Sequence, residues 1–171
     1  MLQVEELKKL HNRKHFDCGD LALNTFLQVL ARQQQDKGIS KTFVLCDSAC
    51  PATILAFFSL AACEVVSDDL PLPLAKKYPT RAPGAKLARL AVDRRQQRKG
   101  YGQILMVEAM RKALLVAEHI GIIGFFVDAK NHDSRVYYEQ FGFISFPKHP
   151  MEMFLPLTTM RQAIDAANQR R

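Results

Sequence analysis

The sequence has no stretch of about 18 or more consecutive apolar residues, which excludes an ordinary membrane-spanning helix. Its first residues, MLQVEELKKLHNRKHF, mix charged and apolar side chains and lack the apolar core of a secretory signal peptide. Glycine and proline occur only eight times each, so the chain is not a low-complexity sequence. We therefore expect a cytoplasmic protein that does not bind membranes.

Metal-binding cysteine patterns are also missing. The chain has four cysteines, and Cys46 and Cys50 lie close together in sequence. No further Cys or His pair follows them at the spacing of a zinc finger. We expect four free thiols and no metal site.

The composition is that of a folded protein. Hydrophobic residues make up 48% of the 171 positions and charged residues 24%, which is enough apolar material to bury a core. This length suits one domain, so we expect residues 1–171 to form a single domain.

Acidic residues are scarce in one part of a chain whose net charge is +7. Between Leu70 and Gly100 there are nine basic residues and one acidic residue, Asp93. Such an imbalance favours a polyanionic partner, for example RNA or a phosphate-rich cofactor. The alternative is a basic surface without a specific partner.

Hydrophobic periodicity predicts alternating helices and strands. Predicted helices cover 20–36, 101–118, 133–140 and 158–171, and predicted strands cover 41–46, 53–62, 86–92, 122–129, 143–146 and 151–155. Asp17 or Asp20 is expected to cap the first helix, and Asp133 or Ser134 the third. Residues 67–84 contain four prolines and are predicted to form a long functional loop. This order predicts an α/β fold with helices on both faces of a sheet.

The stretch RLAVDRRQQRKGYGQIL, residues 89–105, places a glycine-containing turn between a strand and a helix. Unpaired N–H groups and the positive end of the helix dipole make such a turn an anion site. The Walker A pattern is absent, and the Rossmann pattern fails because Leu105 stands where a third glycine is needed. The pattern present is Q-x-x-G-x-G, from Gln97 to Gly102.

This pattern resembles the pyrophosphate loop of the GNAT superfamily of N-acetyltransferases. LARLAVD resembles the fourth strand of that fold, and Asn131 with VYYEQFGF resembles its C-terminal half. Within the superfamily the chain is similar to the tRNA-acetylating toxins of toxin–antitoxin pairs, over about residues 15–157. The resemblance implies an α/β (α+β) GNAT fold with a central mixed, mostly antiparallel sheet and helices on both faces.

The resemblance also implies roles for particular residues. Tyr138 would be the catalytic tyrosine, and Asn131 would lie near the pantetheine of acetyl-CoA. Main-chain groups of the strand would hold the pantetheine and the thioester carbonyl, and backbone N–H groups of the turn would hold the pyrophosphate. The implied cofactor-binding residues of the strand and turn are Leu90, Ala91, Val92, Gln97, Arg98, Lys99, Gly100, Tyr101 and Gly102.

Acetyl transfer to an amine needs a neutral amine, donors for the developing oxyanion and a proton for the departing thiolate. With a reference pKa near 10, against about 8.5 for a thiol, Tyr138 suits the role of general acid. Asp93 and Asp128 end two strands and are candidate general bases by position alone. A base is dispensable if the acceptor is an α-amine, whose pKa of about 7.7–8.0 leaves part of it neutral.

The surplus of basic residues predicts that the acceptor is itself a polyanion. The resemblance implies that this polyanion is aminoacyl-tRNA, whose acetylation would block translation. Two alternatives remain: acetylation of a protein N-terminus or lysine, and an RNA-binding module without catalysis. The candidate tRNA-binding residues are Lys76, Lys77, Arg81, Lys86, Arg89, Arg94 and Arg95.

The resemblance also implies partners beyond the acceptor. It implies a homodimer and a small antitoxin of the ribbon-helix-helix type. Operator DNA would then be bound only through the toxin–antitoxin complex.

Overall fold

The computed structural model describes residues 1–170, so Arg171, the last residue of the predicted C-terminal helix, lies outside the described residues. The chain forms two compact units. The first comprises Met1–Ala61 and Leu87–Ala109, and the second comprises Ala62–Lys86 and the chain from Met110 onward.

Strands and helices alternate along the chain, as the periodicity predicted. The strands are β1 (Leu2–Glu6), β2 (Lys41–Asp47), β3 (Ala56–Val66), β4 (Arg81–Val92), β5 (Gly124–Asp128), β6 (Ile144–Ser145) and β7 (Glu152–Pro156). The helices are α1 (Leu21–Thr25), α2 (Ala31–Asp36), α3 (Leu72–Ala75), α4 (Tyr101–His119), α5 (His132–Glu139) and α6 (Leu157–Gln169). The sheet has seven strands in the order β1-β2-β3-β4-β5-β7-β6, which confirms the predicted α/β class.

In the first unit, one helical run follows an aspartate cap. The Asp20 carboxylate accepts hydrogen bonds from the Ala22 and Leu23 N–H groups, which confirms one of the two predicted caps. A π-helical turn, Phe26–Leu30, joins α1 to α2, and the run ends near Gly38 at φ 72°. β1 pairs antiparallel with β2, which pairs antiparallel with β3.

The first unit is held together by a buried aromatic cluster. Phe57 of β3 meets Phe16 edge to face, with ring centroids 5.3 Å apart, and stacks with Phe26 at 6.3 Å. All three side chains are at most 2% exposed. The predicted apolar face of the 20–36 helix therefore packs into this core through Phe26 and Leu27.

The second unit has its own aromatic core. Phe126 of β5 stacks on Phe154 of β7 at 4.8 Å and meets Phe146 edge to face at 6.2 Å. β7 lies between β5 and β6 and pairs antiparallel with both. A large apolar area is thereby removed from water around Phe126.

One strand was not predicted, and another begins earlier than predicted. β1 was not predicted, because LQVEE is short and carries two acidic residues. β4 begins at Arg81 rather than near residue 86, so Pro83 and Gly84 lie inside a strand. The Pro83 carbonyl accepts the Ile123 N–H at 2.9 Å, and the ring of Phe126 covers Gly84. Proline and glycine mark loops by default, and this packing overrides that preference.

None of the helices within residues 1–170 is both long enough and apolar enough to cross a bilayer.

Gly84 provides a direct test of the packing in the second unit. A Cβ at this position would collide with the ring carbons of Phe126. We expect Gly84→Ala to lower the free energy of unfolding by about 1–3 kcal/mol through overpacking. Gly121 is the matched control, because a Cβ there would meet nothing within 4 Å. Urea unfolding should leave Gly121→Ala within about 0.5 kcal/mol of the wild type; equal effects of the two substitutions would contradict the packing described.

Candidate active site

The turn after β4 has the backbone of an anion site. Arg98, a non-glycine residue, has φ 65°, and Gly100 has φ 81°. The first hydrogen bond at this end of α4 runs from the Ile104 N–H to the Gly100 carbonyl at 3.2 Å. The N–H groups of residues 101–103 therefore precede the helical hydrogen bonds and are available to a ligand at the positive end of a 19-residue helix. This turn fits an anionic group such as a phosphate.

Gly100 is needed here for its backbone conformation. A Cβ at Gly100 would meet no atom within 4 Å, so space within the chain does not demand glycine. Its φ of 81° lies in the left-handed region, which most other residues adopt only with strain.

Contacts from the N-terminal segment hold this turn. The Gln97 side-chain amide donates to the Val92 carbonyl at 3.2 Å and to the Cys18 carbonyl at 3.3 Å. The Arg94 N–H donates to the Asp17 carbonyl at 2.8 Å. The sequence predicted Asp17 only as a helix cap, because no local pattern reveals a contact with a residue so distant in the chain.

Asp93 is a structural carboxylate and is unsuited to the role of general base. It is 1% exposed and accepts hydrogen bonds from the Asp17 N–H and from the backbone and guanidinium of Arg95. Burial acts to raise its pKa, but the hydrogen bonds from Arg95 and Asp17 outweigh burial and lower the pKa to about 2. At neutral pH this carboxylate is ionised, and its oxygens already accept hydrogen bonds from Arg95 and Asp17.

Arg89 lies against an aromatic ring. Its guanidinium carbon is 3.7 Å from the centroid of the Phe26 ring. Burial lowers the pKa of Arg89, although an arginine remains charged at any physiological pH. No carboxylate among the described residues pairs with it, so its charge remains available to an anion. The sequence predicted Arg89 as a tRNA contact, and the face of Phe26 is a further partner that the structure adds.

The remaining strand residues of the predicted site, Leu90, Ala91 and Val92, form the end of β4. Ala91 is buried, at 6% exposed, and its neighbours are half-buried. The predicted role of these residues is to hold the pantetheine and the thioester carbonyl through their main-chain groups. This role stays a prediction.

Asn131 caps α5. Its side-chain oxygen accepts hydrogen bonds from the N–H and the hydroxyl of Ser134, both at 2.9 Å. The prediction that Asp133 or Ser134 caps this helix was wrong, because asparagine caps as well as either and lies at the helix boundary. The cap uses the amide oxygen of Asn131 and leaves its NH₂ group available to a ligand.

Tyr138 lies on α5 among aromatic rings. It meets Phe143 and Tyr137 edge to face, with centroid distances of 5.7 and 5.6 Å, whereas Tyr137 packs on Phe141 at 5.2 Å. Burial, and secondarily the neighbouring Tyr137, raises the pKa of Tyr138 to about 12. The hydroxyl therefore keeps its proton at neutral pH and is suited to donate rather than to accept.

Several of the predicted tRNA-binding residues have acidic partners that the sequence did not reveal. Arg81 pairs with Glu64 at 2.8 Å and Lys86 with Asp128 at 2.6 Å, while Arg94 pairs with Asp17 at 2.7 Å. All three pairs have exposed or partly exposed side chains. The scarcity of acids between residues 70 and 100 is thus partly offset by acids from elsewhere in the chain.

Lys76 and Lys77 follow the short helix α3 in the proline-rich segment. The Lys77 ammonium lies 5.9 Å from the centroid of the Tyr78 ring. Neither lysine pairs with a carboxylate in the part of the chain that the structure describes, so both charges remain available.

Asp128, the second candidate base, lines a cavity of about 240 Å³ in the second unit together with its partner Lys86. The side chains of Phe126 and Phe146 form apolar parts of the cavity wall. Glu64, Asp69 and Glu152 add further carboxylates. This acidic lining makes the cavity a poor site for a phosphate group.

Glu5, His11 and Cys46 bring three possible metal-ligating atoms within 4.8 Å of one another. The Lys8 N–H donates to His11 Nδ1 at 2.9 Å, so the neutral ring carries its proton on Nε2. That nitrogen lies 2.8 Å from a Glu5 oxygen and is the one that a metal would have to bind. The hydrogen bonds are those of a buried polar cluster, and the absence of a metal site stays a prediction.

Residues 30–143 match the model of the acetyltransferase (GNAT) family. A tRNA-acetylating toxin of Mycobacterium tuberculosis is 30% identical over 149 residues, which cover 87% of this chain and 88% of the toxin. The structure of AtaT complexed with acetyl-methionyl-tRNAfMet has a TM-score of 0.88 at 29% identity, covering 95% of this chain and 98% of AtaT. A tyrosine-to-phenylalanine variant of AtaT, bound to the C-terminus of the antitoxin AtaR and acetyl-CoA, has a TM-score of 0.81 at 26% identity, covering 96% and 99%.

The lowered pKa of Asp93 predicts a pH-dependent contribution to stability. The folded-state pKa of about 2 lies below the ordinary 3.8, so the contribution is complete above about pH 5 and is lost as the pH falls. We expect the advantage of the wild type over Asp93→Asn in unfolding free energy to shrink by about 1 kcal/mol between pH 6 and pH 3. Urea unfolding across this range measures it; a constant difference would contradict the assigned ion pair.

Proposed function

The chain belongs to the GNAT family of acetyltransferases, and we propose that it transfers acetyl from acetyl-CoA to the α-amine of aminoacyl-tRNA. Acetylation of that amine blocks translation, which makes the protein a toxin that a cognate antitoxin neutralises. The observation that carries this assignment is similarity along nearly the whole chain to AtaT, solved with acetyl-methionyl-tRNAfMet, and to a tRNA-acetylating toxin. Because these matches take in both compact units, we propose that residues 1–171 act as one GNAT domain.

Acetyl-CoA supplies the acetyl group as a thioester, and the turn from Gln97 to Gly102 fits its pyrophosphate. The positive φ of Arg98 and Gly100 and the unpaired N–H groups at the start of α4 support this role. Main-chain groups of Leu90, Ala91 and Val92 would hold the pantetheine and donate to the developing negative charge of the thioester oxygen. The free NH₂ group of Asn131 suits a pantetheine contact.

Tyr138 would donate to the departing sulfur. Its pKa of about 12 lies above the value of about 8.5 for a thiol, so a complete proton transfer on its own is uphill. Tyr138 would therefore stabilise the sulfur by a hydrogen bond and release its proton as the proton lost by the amine replaces it. The original proton of Tyr138 ends on the thiol, and the proton lost by the amine ends on the Tyr138 hydroxyl.

The acceptor amine needs no strong base if it is an α-amine. Asp93 and Asp128 are both engaged in ion pairs, and the hydrogen bonds that Asp93 accepts lower its pKa to about 2. An α-amine is partly neutral at pH 7.5, whereas a lysine amine with a pKa near 10.4 is almost wholly charged. These facts favour the aminoacyl end of tRNA over a lysine side chain.

The tRNA backbone would contact the basic residues. Arg89, Lys76 and Lys77 have no carboxylate partner within residues 1–170 and are the first candidates. Arg81, Lys86 and Arg94 belong to ion pairs with exposed or partly exposed side chains, and such pairs are worth only about 0–1 kcal/mol. A phosphate can replace a carboxylate in pairs as weak as these.

We further propose the partners that the family resemblance implies. These are a second copy of the chain in a homodimer and an antitoxin of the ribbon-helix-helix type, with operator DNA bound only through the toxin–antitoxin complex. The AtaT–AtaR complex supports an antitoxin for this chain as well. Acetyl-CoA and charged tRNA are cytoplasmic molecules, so we propose that the protein acts in the cytoplasm.

Transfer of label from acetyl-CoA tests the acceptor. We expect the wild-type protein to label the aminoacyl ends of a mixed pool of charged tRNA and to leave uncharged tRNA unlabelled. Label on proteins alone would identify a protein acetyltransferase. No transfer to any acceptor, with retention of tRNA binding, would identify an RNA-binding module.

Tyr138→Phe removes the proposed donor and keeps the aromatic packing. We expect a fall in kcat of at least about 10²-fold, typical for loss of an acid catalyst, with unchanged folding and relief of growth arrest. Tyr137→Phe is the matched control and should stay within about threefold of the wild type. Single-turnover assays with both variants separate them; the opposite ranking would assign catalysis to Tyr137.

A further inference from the structure

Asp93 and Arg95 stand at the centre of the contacts that hold the turn after β4. We infer that they are positioning residues for acetyl-CoA, which fix the turn that receives its pyrophosphate. This inference rests on the proposed function of the turn. It gives Arg95 a role other than the tRNA contact that the sequence predicted.

The two carboxylate oxygens of Asp93 accept four hydrogen bonds. One oxygen receives the Arg95 backbone N–H and Nε, both at 2.9 Å. The other receives Arg95 Nη2 at 2.8 Å and the Asp17 N–H at 3.1 Å. The guanidinium therefore binds the carboxylate through two nitrogens, a planar geometry that lysine cannot reproduce.

This pair connects three segments of the first unit. The Asp93 N–H donates to the Leu55 carbonyl at 2.9 Å, ahead of β3. Arg95 Nη2 also donates to the His15 carbonyl at 3.0 Å. His15 lies in the same segment as Cys18, whose carbonyl accepts from the Gln97 side chain. The start of the turn is thus fixed from two sides.

The ion pair of Asp93 and Arg95 lies directly before the strained part of the turn. Arg98 has φ 65°, a conformation that costs free energy for a residue other than glycine and persists only where surrounding contacts enforce it. Asp93, Arg95 and Gln97 precede Arg98 in the chain, and their contacts are the ones described above that hold the turn. Without them we expect the turn to relax and its N–H groups to lose their common direction.

Arg95 cannot leave Asp93 for a phosphate without a large penalty. Its side chain is 63% exposed, but that of Asp93 is only 1% exposed. Moving the guanidinium would leave a buried carboxylate without its cationic partner. The neighbouring pair of Arg94 and Asp17 has side chains that are 66% and 37% exposed, so Arg94 can exchange its partner for a phosphate.

The experiment compares adjacent arginines by calorimetric titration with acetyl-CoA. We expect Arg95→Gln to raise the dissociation constant at least tenfold and Arg94→Gln to change it less than twofold. Arg95→Lys should behave like Arg95→Gln, because it keeps the charge and loses the two-nitrogen geometry. In steady-state assays KM for acetyl-CoA should rise in Arg95→Gln, while kcat at saturation and KM for charged tRNA stay near wild type.

The possible outcomes separate this inference from the proposed function. If the wild type does not bind acetyl-CoA, both fail together. If the wild type binds and Arg95→Gln binds within twofold, or Arg95→Lys keeps wild-type affinity, the positioning role is overturned and the proposed function stands. Asp93→Asn is a second variant, checked for folding by thermal unfolding, and should match Arg95→Gln in its loss of affinity.

Discussion

The buried carboxylate of Asp93 joins the end of β4 to the turn that opens α4, and the local geometry of the candidate site depends on it. An ionised group that is 1% exposed is stable only when its oxygens are satisfied, and Arg95 and Asp17 supply four donors. The same contacts order the backbone up to Arg98 and Gly100, whose left-handed conformations expose N–H groups to an anion. Electrostatic stabilisation of one aspartate and the proposed binding of a phosphate group are therefore linked through a few residues of the chain.

The positive charge of the chain serves more than one purpose. Arg95 is bound to a buried acid, whereas Arg89 lies on the ring of Phe26 without a carboxylate partner in the described chain. Arg94, Arg81 and Lys86 form weaker surface pairs that an anionic ligand can replace. A count of basic residues thus overstates the charge available for tRNA, and the partners of each residue decide which charges remain.

Much of the fold follows from local signals in the sequence. The apolar spacing after Asp20 and the cap that Asp20 forms predict the position of the first helix. The pattern Q-x-x-G-x-G between a strand and a helix predicts the turn after β4. The start of β4 was missed because Pro83 and Gly84 signal a loop, and their packing against Ile123 and Phe126 is a tertiary effect. The roles of Asp93 and Arg95 were missed for a similar reason, because burial and the contacts with residues 15–18 depend on the folded chain. The raised pKa of Tyr138 likewise comes from rings that pack around it.

The proposed reaction places the acetyl group on the α-nitrogen of an amino acid esterified to tRNA. Mass spectrometry of the 3′-terminal nucleosides released after incubation with acetyl-CoA and charged tRNA identifies the modified atom directly. We expect N-acetyl-aminoacyl-adenosine with the acetyl group on the α-nitrogen, formed by the wild type and absent with Tyr138→Phe. Unmodified aminoacyl-adenosine after incubation with an acetyl-CoA-binding wild-type protein, or acetyl groups on side-chain amines alone, would contradict it.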